Sequence, residues 1–201
     1  MIKYALALSI LMTIAGCIEQ APPQKGSQAF VQNIYRQIIK HDNYPIKFYI
    51  HYEATEQQIS NIFEVMNLIE LKANKKLFQY QGITSNPDRL NVRDGMNVIY
   101  IKNTWEDDRT SEQGRTSVYW AGNEIEELDI RINSKNFTFS YDDYDLNSST
   151  TDFKSLMLHE LLHSLGLKHC DFPNSIMNPY LPVGEVRMEL SLNELDALKL
   201  L

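Results

Sequence analysis

The densest chemistry in the sequence lies at HELLHSLGLKHC, residues 159–170, where three of the chain's five histidines fall within residues 159–169. Positions four apart on a helix stand one turn above each other on the same face. His159 and His163 can therefore bring two imidazole nitrogens to one ion. Glu160, one residue further round, is rotated away from the ion and can face a water held by it, as a general base would. Gly166 falls where a chain leaving a helix sharply needs a residue tolerant of positive φ, and the turn returns His169 as a third neutral nitrogen donor. Three protein ligands leave one position open, the arrangement of catalytic rather than structural zinc. Copper, cobalt or nickel would also bind such imidazoles in vitro.

With those residues in place the sequence resembles the metzincin clan and, within it, the matrixin-like metalloproteases. A further motif of that clan is a methionine in a tight turn beneath the metal, and Met177 in SIMNPY (residues 175–180) fits it. RDGMNVIYIKNTW (residues 93–105), ELDIRINSKNF (127–137), TDFKSLMLHELLHSLGLKH (151–169) and the closing LSLNELDALKLL also resemble family segments, in the family's order. The resemblance implies an α+β (α/β-like) zincin fold. Its parts would be a twisted, mostly parallel five-stranded sheet with one antiparallel edge strand, two long helices, and a small C-terminal subdomain with the Met-turn and a closing helix. It implies one catalytic zinc and hydrolysis of protein or peptide substrates. Met177 would be an apolar floor rather than a ligand, and Tyr180 part of the wall of a substrate pocket. Substrate would lie extended along an edge strand, with residues 118–121 as part of that edge.

Two departures from the family stand out. Cys170 replaces the serine usual after the third histidine; it is read as a packed apolar residue, with a reactive thiol or a fourth ligand as alternatives. No histidine lies in residues 103–122, so a second, imidazole-bound zinc cannot be built there. The acidic residues Glu106, Asp107 and Asp108, and Asp142, Asp143 and Asp145, leave calcium as an option without support; a solvated acidic surface is the preferred reading.

The elements that must position the site follow from patterning. Pro45 opens IKFYIHY, a strand rich in β-branched and aromatic residues. Thr55 precedes a run in which Ile59, Ile62, Phe63, Met66, Ile69 and Leu77 keep helical spacing. Strands are predicted at 97–101 and 128–132, and a long helix from about 152 to 167. Ser191 and Glu194, three apart, form a capping box for a closing helix. Phe30, Ile34 and Ile38 recur every four residues, predicting an amphipathic helix over 28–40 that docks on the domain, with a pro-segment lying in the active-site cleft as the alternative.

Residues 1–16 hold a lone Lys3 and an apolar run too short to span a bilayer, which reads as a signal peptide. That run ends in IAGC and resembles the lipobox of bacterial lipoproteins, with Cys17 as the lipidated residue; an ordinary secretory cleavage is the alternative. The chain thus divides into a signal peptide (1–16), a tether with the amphipathic helix (17–45) and a catalytic domain (46–201). Export follows, with a lipid anchor on a bacterial membrane, the outer membrane or cell surface favoured. If Cys17 is acylated, Cys170 has no partner, which excludes a disulfide framework. A net charge of −7 leaves no electrostatic footprint for nucleic acid, and a monomer is expected. The competing functions are a binding module that keeps the fold and a hydrolase acting on a non-peptide bond.

Overall fold

The computed structural model describes residues 26–201 apart from Asn91, Asp143 and Asp145. The predicted signal peptide, Cys17 and those two acidic residues therefore lie outside the described residues. Five strands build the main sheet: β1 (Ile46–His51), β2 (Phe78–Thr84), β3 (Val98–Lys102), β4 (Gly114–Ala121) and β5 (Glu124–Asn133). Their order is β2-β1-β3-β5-β4, all parallel except β4, which runs antiparallel to β5 and forms one edge. This is the predicted α+β zincin arrangement. A two-stranded parallel pair, β6 (Phe139–Ser140) with β7 (Thr151–Asp152), leads into the helix that carries the site.

Helix α1 (Glu56–Ala73) starts where the sequence signals it, with Thr55 and Gln58 closing a reciprocal capping box, and ends on Asn74 at a left-handed φ of 50°. Helix α2 (Phe153–Ser164) begins on Asp152, whose carboxylate accepts the Ser155 N–H at 2.7 Å. It is buried almost all round, with only Lys154 and His163 partly open, as expected of a helix packed between a sheet and further chain. Helix α3 (Leu192–Leu198) has the expected Ser191–Glu194 box. One core joins Ile50, Ile99, Ile130 and Ile132 of the sheet to Ile62, Val65 and Ile69 of α1 and to Leu158, Leu161 and Leu162 of α2. None of the helices formed by the described residues is long and apolar enough to cross a membrane.

The opposite face of the sheet is covered by the chain between β2 and β3. There Arg131 pairs with Asp88 (2.7 Å) and Asp129 (3.3 Å), and Glu127 accepts the N–H groups of Asp94 and Gly95. Arg131, Asp129 and Glu127 are buried, and these pairs and hydrogen bonds make such burial tolerable.

The helix predicted over 28–40 is not formed. After a short 3-10 turn (Gly26–Ala29), Phe30 makes an antiparallel bridge with Leu167, and the chain turns back so that Gln32 bridges Ile38. Asn33 builds the turn: its Oδ1 accepts the N–H of Tyr35 and of Gln37, and Arg36 takes a φ of 61°. Side-chain bonds to the local backbone thus replace helical ones. Phe30 and Ile39 are buried whereas Ile34 is 89% exposed, so the period-four pattern does not mark one buried face. The segment continues into the sheet hairpin through Lys40 N–H to Asn123 O and Ile125 N–H to Lys40 O.

Candidate metal centre

Helix α2 presents His159 and His163 on one face, as the four-residue spacing requires. It stops in a Schellman turn, with Gly166 N–H donating to His163 O at 2.9 Å and Leu167 N–H to Leu162 O at 3.1 Å. Gly166 sits at φ 96°, and a Cβ there would come 2.2 Å from the Ile39 carbonyl oxygen. Glycine is thus demanded twice, by conformation and by space. The chain leaving this turn carries His169 back to the other two rings.

His159 Nε2 lies 2.9 Å from His163 Nε2 and 3.2 Å from His169 Nε2. His159 Nδ1 is 2.7 Å from Ile176 O, and His163 Nδ1 is 2.7 Å from Leu167 O. A carbonyl oxygen can only accept, so both Nδ1 atoms carry the proton and both Nε2 atoms offer lone pairs. Lone pairs that converge with no proton between them are mutually repulsive unless a cation lies among them. Burial lowers the ring pKa of His159 to about 4 and of His163 to about 3, and lowers that of His169 as well. All three are neutral donors at neutral pH. This donor set fits zinc, and among the described residues it is the one group of His, Cys, Asp and Glu side chains close enough to hold a metal.

Glu160 is buried beside this cluster, and burial raises its carboxyl pKa to about 7, partly offset by a hydrogen bond from Thr116. Thr116 Oγ1 lies 2.7 Å from Glu160 Oε2 and 3.0 Å from the Glu160 carbonyl oxygen.

Met177 is buried in the turn that follows Ile176, the residue whose carbonyl meets His159. Its N–H donates to Ser175 Oγ (2.9 Å), and that hydroxyl donates to Glu194 Oε1 (2.7 Å), tying the turn to α3. Cys170 N–H donates to Met177 O at 2.9 Å. The Cys170 side chain is half-buried against the core and outside the metal-holding group, consistent with a packed cysteine.

The imidazoles and Glu160 open on a cleft of about 790 Å³. Edge strand β4 lines it through Gly114, Thr116, Val118 and Trp120, and the chain after Met177 lines it through Asn178, Pro179, Tyr180 and Leu181. Tyr180 lines the cleft while remaining 68% exposed. Residues that sequence reasoning did not assign also line it: Val31 and Ile39 of the N-terminal segment, and Gln113, Phe137 and Leu156 further in. Val31 and Ile39 belong to the segment 28–40, whose helical periodicity favours docking on the domain over a place in the cleft. Of the acidic residues considered for calcium, Glu106 pairs with Arg115 at 3.0 Å and Asp107 with Lys135 at 2.9 Å.

A family model described as Matrixin matches residues 36–201. A search of the curated proteins finds no match.

Proposed function

The chain belongs to the matrixin family and is a zinc-dependent metalloendopeptidase, and from that premise we propose that His159, His163 and His169 hold the zinc while Glu160 acts as general base. The observation that carries this reading is the convergence of three neutral Nε2 atoms beside one buried carboxyl in a single cleft. When bound there, zinc supplies a Lewis acid for the scissile carbonyl and lowers the pKa of water toward neutrality.

Glu160 takes the proton of the attacking water and delivers it to the leaving amine, one carboxyl serving as base and then as acid. A carboxyl raised by burial is suited to both halves of that task. His159 and His163 are held in one tautomer by Ile176 O and Leu167 O, so their Nε2 atoms need not be deprotonated before binding metal. The peptide lies along the free edge of β4, its backbone adding to the sheet. Tyr180 walls the pocket that receives a side chain next to the cut bond, and Met177 supports the imidazoles from below.

The protein is further proposed to be exported as a monomeric lipoprotein, anchored to a bacterial membrane through Cys17. The support is the sequence of residues 1–17: a short apolar run, small residues, then the cysteine.

Glu160→Ala tests the mechanism. It should keep about one zinc per chain and the wild-type melting temperature while cleavage of denatured casein falls by orders of magnitude. Casein cleavage by that variant at the wild-type rate would refute the assignment. Wild-type protein that cleaves neither casein nor a peptide library, with zinc bound, would refute peptidase activity itself.

A further inference from the structure

Gly114 and Thr116 are two apart on β4, so they face the same side of the sheet, and that side meets α2. Between them lies the Glu160 carboxyl. Thr116 Oγ1 has a single proton to give, and the shorter contact, 2.7 Å to Oε2 against 3.0 Å to the main-chain oxygen, identifies the carboxylate as its acceptor. The other oxygen, Oε1, packs so closely on Gly114 that a Cβ at that position would stand 2.7 Å from it. Nothing in the local sequence around Glu160 could supply this hold, since the donor is 44 residues away.

We propose that Thr116 is a positioning residue for Glu160: its hydroxyl engages Oε2 and sets the carboxylate so that Oε1 is the oxygen that handles the proton. Gly114 is the complementary requirement, leaving Oε1 the space a side chain would fill. The strand along which substrate is laid thereby also aligns the base, and the two are held in one frame. The inference rests on Glu160 being the base.

Thr116→Val keeps the β-branched shape and removes only the donor, and Thr116→Ser keeps the donor. With the full-length, zinc-loaded chain and a fluorogenic peptide, Thr116→Val should lower kcat on the order of 10- to 100-fold with KM within about twofold, the loss expected for a misaligned group that acts in the transition state. Thr116→Ser should restore kcat to within a few-fold. Zinc affinity, measured by competition with a chromophoric chelator, should be unchanged in both variants. Thr116→Ala is the second donor-free variant and should show the same split. In a Glu160→Ala background, Thr116→Val should cost nothing further, because its effect passes through the missing carboxylate. Gly114→Ala should lower kcat with zinc affinity again unchanged.

Wild-type kcat in Thr116→Val, or failure of Thr116→Ser to rescue, overturns the proposal. So does a zinc affinity that falls in parallel with kcat, since that would place Thr116 in the support of the metal site. If Glu160→Ala itself cleaves at the wild-type rate, it is the general-base reading that falls; if Glu160→Ala is inactive and Thr116→Val is not, only the positioning role does.

Discussion

Replacing Gly166 by alanine loads a single methyl group onto the turn that delivers the third histidine. At φ 96° an L-residue is strained by about 1–3 kcal/mol. The new Cβ would also stand 2.2 Å from Ile39 O, where a carbon–oxygen contact needs about 3.3 Å, so one partner must move by about 1 Å. Both partners are backbone and neither can swing aside. Movement of that size loosens the Val31 N–H to Gly166 O bond of 2.9 Å and the Phe30–Leu167 bridge beside it, about 1 kcal/mol for each hydrogen bond lost. The sum is about 3–5 kcal/mol, a large part of the 5–15 kcal/mol typical of a domain. Urea unfolding of chelator-treated wild-type and Gly166→Ala protein measures it directly. Zinc affinity should fall at least about tenfold, ~1.4 kcal/mol, because His169 is displaced with the turn. A destabilisation below about 1 kcal/mol with unchanged zinc affinity would refute the reasoning.

Tyr180→Ala should change stability by no more than about 0.5 kcal/mol, since the ring is largely exposed, while the distribution of cut sites in a peptide library shifts; an unaltered distribution removes Tyr180 from the pocket wall. Zinc should raise the melting temperature in proportion to the logarithm of its free concentration, and a chelator should reverse the gain; a melting temperature indifferent to both would show that the folded state holds no zinc. His41 is buried with its ring 3.0 Å from Ser164 O, and burial lowers its pKa. The fold therefore prefers neutral His41, and its contribution is fully present above the unfolded pKa of about 6.5. That contribution is lost as pH falls below that value, with a slope of at most ~1.4 kcal/mol per pH unit. Subtracting the stability of His41→Gln from that of wild type between pH 7.5 and 5 isolates this slope, and a difference independent of pH would contradict it.

What the sequence made legible was local and periodic. The ligand spacing on α2, the turn at Gly166, the start signals at Thr55 and Ser191 and the strands β3 and β5 all depend on neighbours within a few residues. Strand β2 escaped because it lies at the far edge of the sheet, where only Phe78 of its seven residues is buried and no alternation survives. The stretch 28–40 misled because Phe30, Ile34 and Ile38 mimic a helical stripe, while Asn33 supplies the turn that wins. Asp129 and Arg131 alternate with Ile130 and Ile132 as an open sheet face would, yet they are covered. The grip of Thr116 on Glu160 joins residues from separate elements, and no periodicity encodes it.

The chain ahead of β1 sets where the folding unit has to be cut. The family match begins at residue 36 and the first strand at Ile46, and either would look a natural starting point for an isolated catalytic fragment. Phe30, however, is fully enclosed, and Ala29 O and Val31 N–H satisfy Lys168 N–H and Gly166 O, on the very stretch that runs from the second ligand to the third. A fragment started at either place would expose the apolar seat of a phenylalanine, about 1.5–3 kcal/mol of burial, and leave two main-chain groups on the metal-binding turn without their partners. The smallest self-sufficient unit therefore begins no later than Ala29, seven residues before the family match starts.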